Sequence, residues 1–124
     1  MAEETRNILF VEDEPLLGEL LVEVLTDRGF LVTVARDANT ALRYLDGGGK
    51  ADLLFTDIDL GEGMDGATLA RLVHSMRPQM PIIYASARCS LGEIQAVPGS
   101  VFLRKPYTLK QVDATLAQFS RAAA

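Results

Sequence analysis

The chain alternates five times between a short apolar run and a longer polar stretch, which in most cases has helical spacing of apolar residues. The runs of strand length lie near 7–11, 30–35, 52–57, 82–86 and 101–104. Apolar residues three or four positions apart follow most of them, which is typical of an amphipathic helix. Strands that alternate with helices form a parallel sheet covered on both faces. The pattern therefore predicts a doubly wound α/β fold, in one domain spanning residues 1–124.

Capping residues mark the expected helix starts. These signals are Pro15 for the first helix, Asp37 for the second, Asp65 for the third, and Thr108 with Gln111 for the last. The segment between the fourth and fifth strands is weaker, because Gly92 interrupts the capping box formed by Ser90 and Glu93. Pro98 then ends that segment, so we expect the fourth helix to be short.

Charge and cysteine content exclude several classes of protein. A net charge of −5 disfavours direct nucleic-acid binding, which relies on Lys and Arg neutralising phosphates. No apolar run approaches the length of about 20 residues that a membrane span needs, and the acidic N-terminus does not resemble a signal peptide. Cys89 is the only cysteine, which suits a reducing compartment. We therefore expect a cytoplasmic protein without a membrane segment.

Polar side chains collect where the predicted strands end. They are Glu12 and Asp13 after the first strand, Asp57 at the end of the third, Ser86 after the fourth and Lys105 after the fifth. In open parallel sheets the functional crevice lies at this carboxyl edge. With strand order 2-1-3-4-5, the first and third strands are neighbours, so Glu12, Asp13 and Asp57 should meet. Each residue alone has a simpler explanation as a solvated residue at a loop start.

Three carboxylates in one small pocket require a cation, because like charges at short range raise each other's pKa. A hard divalent ion with oxygen ligands, most simply Mg²⁺, meets that requirement. Lys105 and Ser86 would add an ammonium group and a hydroxyl from neighbouring strands. This combination predicts a site for a phosphoryl group, with Asp57 as the candidate nucleophile that forms an acyl phosphate.

Four motifs in order then resemble the receiver domain of bacterial two-component response regulators. They are Phe10-Val11-Glu12-Asp13-Glu14, Leu54-Phe55-Thr56-Asp57, Ile82-Ile83-Tyr84-Ala85-Ser86-Ala87 and Leu103-Arg104-Lys105-Pro106-Tyr107. The resemblance covers nearly the whole chain and implies a flavodoxin-like (βα)5 fold with strand order 2-1-3-4-5. It also implies that Asp57 accepts a phosphoryl group from a phosphohistidine on a sensor kinase or a histidine phosphotransfer protein.

The resemblance implies roles for the surrounding residues. Glu12, Asp13, Asp57 and the backbone carbonyl of Asp59 would bind Mg²⁺, for which Mn²⁺ is an expected substitute. Ser86 and Lys105 would bind the phosphoryl oxygens, and Lys105 would precede a cis peptide bond to Pro106.

Two further pairs complete the implied site. Ser86 and Phe102 would form the switch, with the aromatic ring packing inward when Ser86 moves. Asp59 and Arg88 would flank the phosphoryl group and influence its lifetime, either by pairing across the entrance or as solvated side chains.

The same resemblance sets expectations for partners and output. Apart from the kinase or phosphotransfer protein, we expect one further partner, an unidentified downstream protein. The chain itself should be a monomer or a weak homodimer, and it should catalyse only its own phosphorylation and dephosphorylation. Gly61-Glu62-Gly63 departs from the proline and methionine that receivers usually carry in this loop. The short fourth helix is the second departure. In receivers this helix, together with the fifth strand and the last helix, typically transmits the signal.

Two other functions remain open from the sequence. Asp57-Ile58-Asp59 resembles the aspartate pair of haloacid dehalogenase phosphatases, although that nucleophile normally follows the first strand and the substrate cap needs more chain. The other alternative is a degenerate receiver that acts as a constitutive interaction module. Retention of Asp13, Asp57 and Lys105 argues against it.

Overall fold

Five parallel strands form one sheet in the order β2-β1-β3-β4-β5. A computed structural model describes residues 6–88 and 91–123, without the side chains of 91 and 120–123. The strands are β1 (Asn7–Val11), β2 (Leu31–Ala35), β3 (Leu53–Asp57), β4 (Ile82–Ser86) and β5 (Val101–Arg104). The predicted doubly wound sheet and its strand order are confirmed.

Within residues 6–88 and 91–123, four α-helices connect or follow the strands. They are α1 (Pro15–Asp27), α2 (Ala38–Asp46), α3 (Gly66–Met76) and α4 (Leu109–Ala123). Asp37 and Asp65 cap α2 and α3 by accepting hydrogen bonds from the backbone N–H of Thr40 and Thr68. The backbone N–H groups of Thr108 and Gln111 bond to each other's side chains in a reciprocal capping box before α4.

The sheet separates two apolar layers. Alternate residues of each strand face opposite sides, so Leu9 and Val11 pack with α2 and α3, whereas Ile8 and Phe10 pack with α1 and α4. All five residues of β3 are buried, as expected for a central strand covered on both faces. This burial fixes the position of Asp57 at the carboxyl edge of the sheet.

The connection from β4 to β5 contains a single turn of 3₁₀ helix, Leu91–Glu93. This confirms the prediction of a short helical segment, and Gly92 and Pro98 explain why it does not continue. The buried hydroxyl of Tyr84 accepts a hydrogen bond from the backbone N–H of Val97 at 3.1 Å, which anchors the connection to β4. Cys89 lies outside the described residues, and so does Ser90, the first residue of the predicted capping box.

No helix within the described parts of the chain has both the length and the apolar character needed to cross a membrane.

Candidate functional site

Three carboxylates meet at the carboxyl edge of the sheet. Glu12 and Asp13 follow β1, and Asp57 ends β3, the strand that pairs with β1. One oxygen from each carboxylate lies within 4.8 Å of the other two. Asp13 is exposed, whereas Glu12 and Asp57 are buried. The predicted proximity of these three residues is therefore observed, with one acid open to solvent.

Lys105 contacts two of the three acids. Its Nζ donates to Glu12 Oε1 at 2.8 Å and to Asp57 Oδ2 at 2.9 Å. Lys105 follows β5 and precedes a cis peptide bond to Pro106, and its backbone N–H donates to the Ser86 carbonyl at 3.0 Å. The ammonium group thus extends from the edge strand of the sheet, across the end of β4, to β1 and β3.

Burial controls the protonation of these groups. It raises the pKa of Asp57 and of Glu12, and the hydrogen bonds from Lys105 oppose the rise only in part. Burial alone would lower the pKa of Lys105, but the bonds to Glu12 and Asp57 outweigh it, so its pKa is raised. Lys105 therefore holds its proton more firmly than an ordinary lysine does, whereas burial disfavours the charged form of the two acids.

The acids and Lys105 fit a divalent cation. Three carboxylates and one ammonium group leave an excess of negative charge, and all the clustered acidic ligands are oxygens, which Mg²⁺ prefers. Gly61 has a positive φ of 74°, and a Cβ added to it would lie 3.6 Å from Asp13 Oδ2. This glycine lets the loop after β3 pass close to the exposed acid.

Ser86 is fully buried and lies on the far side of Asp57 from the acids of β1. Its Oγ donates to Asp59 Oδ2 at 2.9 Å and accepts from the backbone N–H of Arg88 at 3.0 Å. The backbone N–H of Asp59 donates in turn to Asp57 Oδ1 at 3.1 Å. Hydrogen bonds thus connect both oxygens of Asp57, one to Lys105 and the other, through Asp59, to Ser86.

Asp59 and Arg88 do not form an ion pair with each other in the described structure. The carboxylate of Asp59 instead contacts Ser86, and Arg88 contributes its backbone N–H to the same hydroxyl. The sequence left open whether the two side chains pair or are solvated; in the structure the buried hydroxyl of Ser86 is the hydrogen-bond partner of the acid.

Phe102 is half-buried on β5 and pairs in register with Tyr84 of β4. Its ring packs against the α2–α3 side of the core, and the guanidinium carbon of Arg104 lies 5.7 Å from its centroid. Tyr84 and Ser86 are two residues apart on β4, so they share one face of the sheet with Phe102. The predicted switch pair therefore lies on adjacent strands.

Gly66 packs against the backbone of Asp57, a role that the sequence analysis did not predict. A Cβ at this position would collide with the carbonyl oxygen of Asp57. Its backbone N–H donates to the Ile58 carbonyl at 2.9 Å, so α3 starts in direct contact with the backbone that carries Asp57. The available signal was a glycine immediately after the capping Asp65, where most helices tolerate a side chain.

Tyr107, also missed, packs its ring 5.7 Å from that of Phe55. Burial raises the pKa of its hydroxyl, and the charges of Glu12, Asp57 and Glu14 add to the effect. Tyr107 therefore forms an uncharged wall beside Lys105.

The sequence matches the response regulator receiver domain over residues 8–117. The chain belongs to the response regulator receiver family. A receiver protein from Sinorhizobium medicae is 33% identical, with a TM-score of 0.88 and 98% of each chain covered. The transcriptional regulatory protein TcrA of Mycobacterium tuberculosis is 32% identical over 118 residues. That match covers 93% of this chain and 46% of TcrA, so the chain spans about half the length of that relative.

The fold is also shared with the response regulator TrrA of Thermotoga maritima, solved with Mg²⁺ and BeF, at 23% identity and a TM-score of 0.81 over 92% of this chain and 98% of TrrA. Receiver domains bind Mg²⁺ at an acidic pocket, and this receiver has the corresponding group in Glu12, Asp13 and Asp57. They also interact with histidine kinases and downstream effectors and are generally not enzymes with separate substrates. The family thus accounts for the acidic cluster and its position in the fold.

Proposed function

We propose that this receiver is a phosphorylation-dependent signalling switch in which Asp57 accepts a phosphoryl group from a phosphohistidine. The donor would be a sensor kinase or a histidine phosphotransfer protein. One observation carries the proposal: Asp57 is 4% exposed, and its carboxylate contacts Lys105 at 2.9 Å and lies in the acidic cluster with Glu12 and Asp13. A buried nucleophile with a cation on one side and metal ligands on the other suits phosphoryl transfer.

In the proposed reaction, a carboxylate oxygen of Asp57 attacks phosphorus, forming a P–O bond as the P–N bond of phosphohistidine breaks. The leaving imidazole keeps the bonding electron pair and takes a proton from solvent. Lys105 would neutralise negative charge on the phosphoryl oxygens, since its ammonium group already contacts Asp57. The backbone N–H of Asp59, on Asp57 Oδ1, would hold the carboxylate in one orientation during attack.

Glu12, Asp13, Asp57 and the backbone carbonyl of Asp59 are the proposed ligands of Mg²⁺, with Mn²⁺ as a substitute. When bound, the ion supplies positive charge to the transferring phosphoryl oxygens. Glu12 would then exchange part of its contact with Lys105 for the metal, leaving the ammonium group available to the phosphoryl group.

Ser86 and Phe102 are the proposed readout, with Ser86 moving to the phosphoryl group and the half-buried ring of Phe102 packing further inward. Their positions on adjacent strands, facing the same side as Tyr84, support this proposal. The output would reach a downstream protein through the short connection between β4 and β5. A cytoplasmic location stays a prediction from the sequence.

Phosphoryl uptake tests this function directly. The protein is incubated with Mg²⁺ and acetyl phosphate and then weighed by mass spectrometry. One phosphoryl group per chain is expected, lost in Asp57→Asn and on chelation of the metal. Asp52→Asn is the matched control, because Asp52 directly precedes β3, at the end opposite Asp57, and it should accept phosphate normally.

Two other outcomes would contradict the proposal. Multiple-turnover release of phosphate from unrelated phosphomonoesters would indicate a phosphatase instead. Absence of uptake from acetyl phosphate and from a phosphorylated histidine phosphotransfer protein would indicate a constitutive interaction module.

A further inference from the structure

The carboxylate of Asp59 holds the hydroxyl that the proposed switch needs. Ser86 Oγ lies 2.9 Å from Asp59 Oδ2, joining residues 27 positions apart in the chain. An ionised carboxylate has no hydrogen to donate, so the hydroxyl is the donor. Hydrogen bonds to a charged acceptor are stronger than neutral ones. The contact therefore ties the end of β4 to the loop that follows Asp57.

The hydroxyl of a serine has one hydrogen. In this structure the acceptor side of Ser86 Oγ receives the backbone N–H of Arg88 at 3.0 Å, and its hydrogen points to Asp59. A dianionic phosphoryl group offers only acceptor oxygens, so Ser86 can bind it only by donating that same hydrogen. Asp59 and a phosphoryl group on Asp57 cannot both receive it.

We propose that the Asp59 side chain is a positioning residue that holds Ser86 in the unphosphorylated protein and competes with the phosphoryl group for its hydroxyl. This inference rests on the proposed function of Asp57. It assigns Asp59 control over how readily the phosphorylated protein switches. The competing acceptor belongs to the residue whose backbone N–H contacts Asp57 Oδ1, so it lies directly beside the bond that phosphorylation forms.

Burial disfavours water as the replacement acceptor for the Ser86 hydroxyl. Ser86 is 0% exposed, so solvent cannot readily take over the hydrogen bond that the hydroxyl now gives to Asp59. Asp59 is exposed, so water can solvate its carboxylate once Ser86 leaves. The phosphoryl group thus offers the hydroxyl a charged acceptor in place of Asp59, and solvent hydrates the released carboxylate.

A double-mutant cycle with Mg²⁺ and beryllofluoride, an inorganic phosphoryl mimic, tests the competition. The dissociation constant is measured by calorimetry for the full chain, for Asp59→Ala, for Ser86→Ala and for the double variant. Asp59→Ala should bind about tenfold more tightly, as expected when a charge-assisted hydrogen bond no longer opposes binding. In the Ser86→Ala background the same change should give less than about a threefold gain, because only the removed charge contributes.

Two variants separate the hydrogen bond from charge. Asp59→Asn removes the charge but keeps an oxygen acceptor, so it should restore part of the competition and bind more weakly than Asp59→Ala. Glu62→Ala removes an exposed acid from the same loop without touching Ser86 and should change binding by less than about threefold.

An equal gain from Asp59→Ala in the presence of Ser86 and in the Ser86→Ala background would overturn the competition while leaving the proposed function intact. Equal affinities for Asp59→Ala and Asp59→Asn would do the same, since charge alone would then explain the effect. If the unmodified chain binds no beryllofluoride and takes up no phosphate at Asp57, the proposed function fails, and the competition fails with it.

Discussion

Asp52 directly precedes β3 and Asp57 ends it, and the surroundings of the two acids shift their pKa values in opposite directions. Asp52 Oδ2 accepts hydrogen bonds from the backbone N–H of Arg6 at 3.1 Å, the backbone N–H of Asn7 at 2.8 Å and the Asn7 side chain at 3.1 Å. Loss of some hydration acts to raise the pKa of Asp52, but these bonds outweigh it and the pKa is lowered. Burial raises the pKa of Asp57 despite its bond to Lys105.

The opposite pKa shifts of Asp52 and Asp57 indicate that the carboxyl edge of the sheet is the reactive one. At the amino edge, three donors satisfy one carboxylate, and the acid serves as a clamp between β1 and β3. At the carboxyl edge, Glu12 and Asp57 share one ammonium group, so their negative charge is under-compensated. Functional groups commonly lie where the protein does not fully compensate a charge, because a bound ligand or ion can then supply the missing opposite charge.

Among the variants that test this difference between the two edges of the sheet, removal of the Lys105 side chain should change the free energy of unfolding most. Lys105→Ala leaves two buried carboxylates without their cation, and the free energy of unfolding in metal-free buffer should fall by about 3 kcal/mol. Urea denaturation at neutral pH measures the change. Addition of Mg²⁺ should recover part of the loss, because the ion binds the same oxygens.

Lys110→Ala provides the matched control, since Lys110 is exposed on α4 and should change stability by less than about 0.5 kcal/mol. A loss in Lys105→Ala no larger than in this control would show that the two buried acids are neutral without Lys105.

Gly66→Ala should give the next largest effect, because the added methyl group collides with the Asp57 carbonyl. Overpacking against backbone should lower the free energy of unfolding by about 2 to 3 kcal/mol and shift α3 away from β3. Urea denaturation measures the stability, and phosphoryl uptake from acetyl phosphate should fall as well.

Gly18→Ala is the comparison for Gly66, because its Cβ would meet only the side chain of Val34, with Cγ1 at 3.4 Å, which is close to ordinary van der Waals contact. It should be neutral or stabilising, since alanine favours the helix interior by about 1 kcal/mol over glycine. Similar losses in both variants would contradict the role of Gly66 behind Asp57.

Asp52→Ala should change the free energy of unfolding least. Its carboxylate is exposed, so solvent screening limits the loss at neutral pH to less than about 1 kcal/mol. The pKa of Asp52 is lowered from 3.8, so its contribution is fully present above that pH and is lost as the pH falls through the folded-state pKa.

The difference in unfolding free energy between the unmodified protein and Asp52→Ala should therefore shrink when the urea titrations at neutral pH are repeated at about pH 3. A difference that grows on acidification would mean that burial, rather than the donors from β1, controls this aspartate, and the contrast with Asp57 would disappear.

Much of the fold was predictable because its signals are local. Asp37, Asp65 and the Thr108–Gln111 pair cap the predicted helices, since capping depends on residues three positions apart. Gly92 and Pro98 likewise predicted the shortened segment after β4, because both act on their own backbone.

The sequence alone also determined that Glu12, Asp13 and Asp57 would meet, since the ends of neighbouring parallel strands share one edge. Only the tertiary structure decided that Lys105 bridges Glu12 and Asp57, that Asp59 contacts Ser86 rather than Arg88, and that Gly66 lies against Asp57. These contacts depend on distances of a few ångströms between segments far apart in the chain. Strand spacing, loop path and burial set such distances together, and no local pattern encodes them.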